Sequence, residues 1–165
     1  MPGWPLLRIN LECRGDSRMH IVVQKFGGTS LSSAEAREHA IRHIERELQQ
    51  SKQIVVVVSA MGRKGEPYAT DTLLGLVESS GGTLPPRERD LLLGCGEIIS
   101  AALLCSLLTA RGIPATVLTG GQAGIATSAR FGDARILSVV PDRILRLLEE
   151  GKVVIVTGFQ GHTAG

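Results

Sequence analysis

The sequence predicts an α/β domain with a mainly parallel sheet, on three observations. Short apolar segments rich in β-branched residues alternate with longer segments of helical periodicity, in the order strand, helix, strand, helices, strand, helix, strand. The segment from Ile54 to Val58 is apolar at every position, which is typical of a strand covered on both faces. Each predicted strand is followed by a segment rich in glycine or hydroxyl side chains, where parallel sheets bind ligands.

Length and composition fit one domain with an aliphatic core. The chain has 165 residues, of which 43% are apolar and only 3% aromatic, and its net charge is +2. The charges are spread along the chain, so nucleic-acid binding is not indicated. The three cysteines are Cys13, Cys95 and Cys105; the last two lie in apolar sequence and predict buried free thiols in a reducing cytoplasm.

The first 18 residues differ from the rest of the chain. Residues 1–18 show no clear period and are too poor in apolar runs for a secretory signal. We expect them to be a disordered extension, a wrongly assigned start or non-native sequence, with Met19 as the natural start. The domain is therefore expected over residues 19–165.

The first predicted strand ends in a glycine turn beside a lysine. The segment from His20 to Leu31 reads HIVVQKFGGTSL, and Gly27 and Gly28 predict a tight turn into a helix. Such a turn can aim backbone N–H groups at an anion, to which Lys25 adds a mobile positive charge. Two interpretations stay open: a phosphate site, or an ordinary turn beside a surface lysine. The sequence has neither a P-loop motif nor a dinucleotide-binding motif.

The next segments predict two helices with capped starts. The sequence Ser32-Ser33-Ala34-Glu35 predicts a capping box for an amphipathic helix to about Gln50. His39 and His43 lie one turn apart on it, a spacing that can bind zinc, but their charged neighbours favour a solvated face. Thr70-Asp71-Thr72 predicts the cap of a second helix, which extends through about Ser80.

A long apolar helix is predicted from Pro85 or Pro86 to Arg111, with Gly112 as its stop. Within it, residues 91–110 carry a single charge, Glu97. A carboxylate at the centre of a membrane costs about 2.5–3.5 kcal/mol, so we expect a buried core helix rather than a membrane span. An isolated carboxylate in such a helix needs a partner, which is either a structural donor or a ligand.

Four loops are expected to meet at one edge of the sheet, because the carboxyl ends of parallel strands lie together. They are Gly27–Ser30, Ser59–Gly62, Thr119–Gly124 and Gly158–Gly161. The last two follow predicted strands at Ala115–Leu118 and Val153–Thr157, with a helix from Pro141 to about Glu150 between them. Their shared chemistry indicates a site for a polyanion.

The motifs together resemble those of the aspartokinases, within the amino acid kinase family. KFGGTS, VVSAMG, GEIISAALL, TGGQAG, ARFGDARI and GFQG occur in the family's order and spacing, from about Met19 to the end. The resemblance implies a three-layer αβα sandwich and transfer of a phosphoryl group from ATP, with Mg²⁺, to L-aspartate. The product would be 4-phospho-L-aspartate, the first step toward lysine, threonine and methionine. Glutamate 5-kinase and acetylglutamate kinase fit the SAMG and GFQG strings less well.

The resemblance also implies roles for individual residues. Lys25 is the catalytic cation and, with Gly27 and Gly28, holds the transferring phosphate. Thr29 and Ser30 line the helix start, and Ser59 contacts substrate or phosphate. Thr70 binds substrate, and Glu97 receives the aspartate amino group. Arg130 is expected to bind a substrate carboxylate, with a surface arginine as the alternative. We expect no tightly bound protein metal, no nucleic-acid or membrane partner, a cytoplasmic location and a homo-oligomer.

Two family features are missing from the sequence: the GRGGSD-like segment of the ATP pocket and the regulatory ACT domains. We therefore expect the chain to be the N-terminal portion of an amino acid kinase catalytic domain. The alternative function is a non-catalytic module that binds aspartate or a partner chain.

Overall fold

The computed structural model describes residues 7–11, 19–50 and 52–163. The strands are β1 (Leu7–Leu11), β2 (Met19–Phe26), β3 (Gln53–Val58), β4 (Ala115–Leu118), β5 (Ile125–Thr127), β6 (Ile136–Val139) and β7 (Val153–Thr157). The helices are α1 (Ala34–Leu48), α2 (Thr70–Ser79), α3 (Pro86–Thr109) and α4 (Asp142–Glu149).

The main sheet has five strands in the order β1-β2-β3-β7-β4. β2, β3, β7 and β4 run parallel to one another, and β1 pairs antiparallel with β2 at one edge. This arrangement confirms the predicted α/β class with a mainly parallel sheet. Helices lie in the connections between successive parallel strands, α1 between β2 and β3, α2 and α3 between β3 and β4, and α4 between β4 and β7.

The side chains of the central strands alternate between two apolar layers, as the period of two in a strand requires. On one face, Val56 and Ile155 pack with α1 and α3 in a cluster that includes Ile44 and Leu104. On the other face, Val55 and the adjacent strand residues pack with α4, in a cluster completed by Val154, Val156, Leu147 and Leu148. β3 and β7 are therefore covered on both sides, which explains why their sequences are almost wholly apolar.

Helix α3 buries one face only, which differs from the fully buried core helix expected from the sequence. Ala101, Leu104 and Leu108 are buried against the sheet, but Leu91 is 67% exposed and Ile98 is 44% exposed. The helix is long and apolar enough to cross a membrane by length and composition, although a third of its most apolar stretch is buried within the structure. Hydropathy alone did not distinguish the packed face from the free one.

Three strands were not predicted. β5 and β6 form a separate two-stranded antiparallel sheet, and every residue of β6 is exposed. Their strands are short and bury little apolar area, so they leave a weak pattern in the sequence. β1 lies within the N-terminal extension, so the expected disorder does not hold for Leu7–Leu11, while residues 1–6 and 12–18 lie outside the described part of the chain.

The helix ends follow the predicted chemistry with two local differences. Ser33, rather than Ser32, is the N-cap of α1, and its hydroxyl accepts a hydrogen bond from the backbone N–H of Ala36 over 3.1 Å. The start of α2 has no side-chain cap, since Thr70 is already its first helical residue. Beyond α3, Gly112 has a φ of +72°, the left-handed conformation that ends many helices.

The cysteine and histidine predictions have mixed outcomes. Cys95 and Cys105 are free thiols, but Cys95 is exposed, because it lies on the uncovered face of α3. Cys105 is partly buried, and Cys13 lies outside the described residues. His39 and His43 are exposed on α1, which confirms the predicted solvated face.

Candidate active site

Four loops meet at the carboxyl edge of the sheet, as predicted. Neighbouring parallel strands β2, β3, β7 and β4 end in Gly27–Ser30, Ser59–Gly62, Gly158–Gly161 and Thr119–Gly124, respectively. The strand order therefore gives the order of the loops across the site. Backbone contacts then tie each loop to its neighbour.

The first two loops are in direct backbone contact. The N–H of Gly62 donates to the carbonyl oxygen of Gly28 over 3.1 Å, and the N–H of Ser59 donates to the carbonyl oxygen of Phe26 over 3.1 Å. A Cβ atom on Gly28 would lie 2.5 Å from the carbonyl oxygen of Ala60. Glycine is required there because only its backbone can approach the second loop so closely.

The loop Gly158–Gly161, which follows β7, lies between the loops Ser59–Gly62 and Thr119–Gly124. The N–H of Gly158 donates to the carbonyl oxygen of Val58 over 2.8 Å. On its other side, a Cβ atom on Gly120 would overlap the carbonyl group of Gln160. These contacts hold the turn after β7 against both neighbouring loops. Gly120 in TGGQAG and Gly158 in GFQG therefore allow the loops to pack closely.

Lys25 presents an ammonium group at this edge. It is the penultimate residue of β2, its side chain is exposed, and its neighbours Gln24 and Phe26 are buried. Alternation along the strand therefore places Lys25 on the opposite face of the sheet from Gln24 and Phe26, at the end of β2. Its Nζ lies 4.9 Å from the centre of the Phe159 ring, which is a cation–π contact.

Glu97 presents a buried carboxylate from α3. Its side chain is only 7% exposed, and Gln160 donates a hydrogen bond to its Oε2 over 2.8 Å. The helix approaches the second loop closely, since a Cβ on Gly96 would lie 2.8 Å from the Ala60 methyl and from the Tyr68 carbonyl oxygen. The GE pair thus lets the helix backbone come near enough to deliver the carboxylate.

The positive charge of Lys25 acts on the Glu97 carboxyl group. Burial raises the pKa of Glu97 to about 7, while the hydrogen bond from Gln160 and the positive charge of Lys25 act to lower that pKa. Lys25 therefore acts across the same site as Glu97, with a cation on the β2 side and a carboxylate on the α3 side. Such an arrangement can bind a ligand that carries both a negative and a positive group.

The structure places the hydroxyl residues of the first two loops at this edge. Gly28–Ser30 forms one short 3-10 turn, in which the N–H of Ser30 donates to the carbonyl oxygen of Gly27 over 2.9 Å. Thr29 is exposed, and Ser59 is partly buried at the end of β3. The roles of the individual hydroxyl groups toward phosphate or substrate stay predictions.

Thr70 and Arg130 are less closely connected with the pair of charges. Thr70 is exposed at the first position of α2. Arg130 lies in the connection between β5 and β6, where its guanidinium is 3.6 Å from the Asp133 carboxylate and its side chain is 68% exposed. No contact joins either of them to Lys25 or Glu97 among the described residues, so their substrate roles stay predictions.

Sequence reasoning missed two residues of the site, Phe159 and Gln160. The GFQG string was recognised as a loop at the correct edge, but neither side chain received a role. Gln160 meets Glu97 across 63 positions of the chain. No local sequence pattern indicates the pairing of Gln160 with Glu97. Only a predicted contact between the loop after β7 and the long helix α3 could have suggested it.

The described residues contain no group of three or more histidine, cysteine or acidic side chains that could hold a metal ion.

Comparison with known proteins agrees with this geometry. The sequence model of the amino acid kinase family matches residues 20–165. Aspartokinase 1 of Bacillus subtilis is 48% identical over 145 residues, and aspartokinase of Geobacillus stearothermophilus is 46% identical over 145 residues. The matches span 88% of this chain but only 36% and 34% of the two relatives, so the chain corresponds to about a third of their length.

Solved structures show the same fold. Aspartate kinase from Synechocystis superposes with a TM-score of 0.67 at 40% identity, over 86% of this chain and 22% of that chain. Aspartokinase III of E. coli, in complex with aspartate and ADP, superposes with a TM-score of 0.63 at 22% identity, over 87% of this chain and 41% of that chain. The mainly parallel sheet and its helices are thus those of aspartate kinase structures.

Proposed function

Because the chain belongs to the amino acid kinase family, we propose that it forms the part of an aspartate kinase that binds L-aspartate and the transferring phosphoryl group of ATP. The observation that carries this proposal is the pair formed by Lys25 and Glu97. The positive charge of Lys25 acts on the Glu97 carboxyl group at the edge where four glycine-rich loops meet. The similarity to aspartokinases of known name supports the choice of aspartate.

The reaction needs charge neutralisation more than proton transfer. The acceptor is a side-chain carboxylate that is already ionised at neutral pH, so no general base is required. The site must instead hold two anions together and stabilise the negative charge that develops between them. A lysine ammonium and close backbone N–H groups perform this task without a histidine.

Lys25, Gly27 and Gly28 would hold the phosphoryl group. Lys25 is exposed at the site, and Gly28 packs its backbone directly against the second loop. Mg²⁺ on ATP would supply further positive charge to the phosphate oxygens. The hydroxyl groups of Thr29, Ser30 and Ser59, which belong to the first two loops, would donate hydrogen bonds to the same group.

Glu97 would receive the ammonium group of aspartate. A buried carboxylate with a pKa of about 7 gains its charge at little cost when a cation binds beside it. Arg130 would bind a substrate carboxylate, which requires it to exchange Asp133 for the ligand. Thr70, at the start of α2, would complete the substrate contacts.

Two measurements on the purified chain test the proposal. Isothermal titration with L-aspartate should show binding that is lost in Glu97→Gln, and hydroxamate trapping should show ATP- and aspartate-dependent product that is lost in Lys25→Ala. Lys152→Ala is the matched control, because Lys152 is a surface lysine paired with Glu150.

Absence of aspartate binding would contradict the proposal. Aspartate binding without any product would favour the alternative function, a non-catalytic module that binds aspartate.

We also propose a location and an assembly for the protein. A cytoplasmic enzyme that assembles with copies of itself would fit the family, and the chain exposes apolar side chains that a partner could cover, including Leu91, Ile98, Ile136 and Leu137. Light scattering on the purified chain would give its oligomeric state.

A further inference from the structure

The turn after β7 is fixed more firmly than an ordinary surface loop. Gly158 donates its N–H to the carbonyl oxygen of Val58, and the carbonyl group of Gln160 packs against Gly120. The turn is therefore held from both sides by backbone contacts. Its two non-glycine side chains, Phe159 and Gln160, project from a backbone that cannot readily shift.

Phe159 adopts a conformation that needs an explanation. Its φ is +52°, and it is the one non-glycine residue with a positive φ among the residues that the structure describes. Its side chain is also 87% exposed. Neither the left-handed backbone nor the exposed ring favours folding, and such local strain is concentrated at functional sites. The Phe159 ring contacts the ammonium group of Lys25, so Lys25 is the group on which the ring would act.

Gln160 has a partner for each part of its amide. Its Nε2 donates to the carboxylate of Glu97 over 2.8 Å and to the carbonyl oxygen of Gly94 over 3.2 Å. Its Oε1 accepts a hydrogen bond from the buried hydroxyl of Thr157 over 2.8 Å. Because the Gly94 carbonyl can only accept, the amide has one possible orientation, and it directs an N–H donor at Glu97.

Consecutive residues thus contact the two opposite charges of the site. The left-handed backbone at Phe159 turns its ring toward Lys25, and the next side chain reaches Glu97. We propose that the turn Gly158–Gly161 is the positioning element for both charges, with Gln160 orienting Glu97 and Phe159 confining Lys25. This inference rests on the proposed function, in which those charges bind the substrate.

The Gln160→Met variant tests the first half. Methionine keeps the length of the side chain and removes its hydrogen bonds. The midpoint of the Glu97 titration, followed by the ¹³C resonance of its carboxyl carbon, should move above pH 7, since an interaction that favours the ionised form is lost. Lys25 on β2 is the charged group that also acts on Glu97, and it is unchanged in this variant.

Gln122→Met is the matched control. Gln122 is an exposed glutamine in the loop after β4, and its side-chain oxygen accepts a hydrogen bond from the N–H of Thr119. This substitution removes a loop hydrogen bond of similar kind but should leave the Glu97 midpoint unchanged. Equal midpoints in the original chain and a folded Gln160→Met variant would overturn the role of Gln160.

The original chain offers a test that does not depend on the variant's folding. If Gln160 donates to Glu97, the proton resonances of its side-chain amide should shift with pH and follow the midpoint of Glu97, near pH 7. Amide resonances that do not change through that range would also overturn the assignment.

The Phe159→Leu variant tests the second half. A ring centred 4.9 Å from Nζ should move the resonances of the Lys25 ε-methylene protons upfield, and leucine should return them to ordinary positions. Phe159→Tyr keeps the ring and should keep the shift. Unshifted resonances in the original chain would overturn the role of Phe159.

These tests use no substrate, so they are separate from the proposed function. If the midpoints and ring shifts are as expected but aspartate does not bind, the turn positions the charges and the choice of substrate is wrong. If aspartate binds equally well to Gln160→Met at pH 6.5 and the Glu97 midpoint has not moved, the positioning role is wrong while the function stands.

Discussion

Gly28 and Ala60 bring the first and second loops of the site together. A Cβ atom built on Gly28 would lie 2.5 Å from the carbonyl oxygen of Ala60 and 3.1 Å from that of Gly62. Both neighbours are backbone atoms, which cannot turn aside as a flexible side chain could. The second glycine of KFGGTS is thus required by the contact between two loops, in addition to any role toward phosphate.

Gly28→Ala should therefore separate the two loops. We expect a loss of about 1–3 kcal/mol in the free energy of unfolding, which is typical of an added methyl group in a packed region. Gly75→Ala is the control, because no atom lies within 4 Å of a Cβ at this position in α2. Gly75→Ala should increase the free energy of unfolding by about 0.5–1 kcal/mol, since alanine favours the helical conformation more than glycine does. Urea denaturation measures both, and an equal effect of the two substitutions would contradict the close approach.

Leu104→Ala tests which face of α3 is packed. Leu104 is 1% exposed in the core, so its truncation should cost about 2–5 kcal/mol. Leu91→Ala, on the exposed face, should change stability by less than about 0.5 kcal/mol. Chemical denaturation of both variants compares them directly. A larger loss from Leu91→Ala would mean that α3 is rotated relative to the structure.

The raised pKa of Glu97 predicts how stability depends on pH. The folded chain keeps the Glu97 proton up to about pH 7, whereas the unfolded chain releases it near 4.5. Unfolding between these values therefore releases a proton, and the free energy of unfolding should fall as pH rises through that window. It should level off above pH 7 as far as this group is concerned.

Glu97→Gln isolates that contribution, because glutamine cannot ionise and the other titrating groups are unchanged. Denaturation at several pH values should show a smaller decline for the variant between pH 4.5 and 7. Parallel curves for the two chains would exclude a raised pKa at this position.

Aspartate binding should have the opposite dependence on pH. The ligand's ammonium group binds the ionised form of Glu97, so affinity should rise as the pH increases toward and past 7. Below that value, the dissociation constant should increase about tenfold for each pH unit, as for any single group that must lose a proton. Titration calorimetry between pH 5.5 and 8.5 measures the dissociation constant for aspartate. A constant affinity across this range would argue against contact of the ligand with Glu97.

Much of the fold could be predicted because its signals are local. The apolar runs of β3 and β7 and the glycine after α3 each specify their own structure, and parallel topology then fixes where the loops meet. The β5–β6 sheet escaped prediction because both strands are short, β6 is exposed at every position and β5 is only partly buried. The exposed face of α3 was not predicted because the helix is apolar all round, and its sequence does not indicate which side packs against the sheet.

The site was predictable to the extent that its residues carry local signals. Lys25 stands beside a glycine turn, and Glu97 is the single charge in a long apolar segment. Gln160 and Phe159 act through partners distant in the sequence, and the left-handed backbone of Phe159 contradicts its residue type. Only the folded chain shows these contacts.

The pKa of Glu97 in a Lys25→Met variant tests most directly whether Lys25 and Glu97 share one site. Loss of the ammonium should raise the midpoint of the Glu97 carboxyl resonance above its value of about 7 in the original chain. Lys152→Met, which removes a lysine paired with Glu150, should leave that midpoint unchanged. An identical Glu97 midpoint in the original chain and both variants would contradict the shared site.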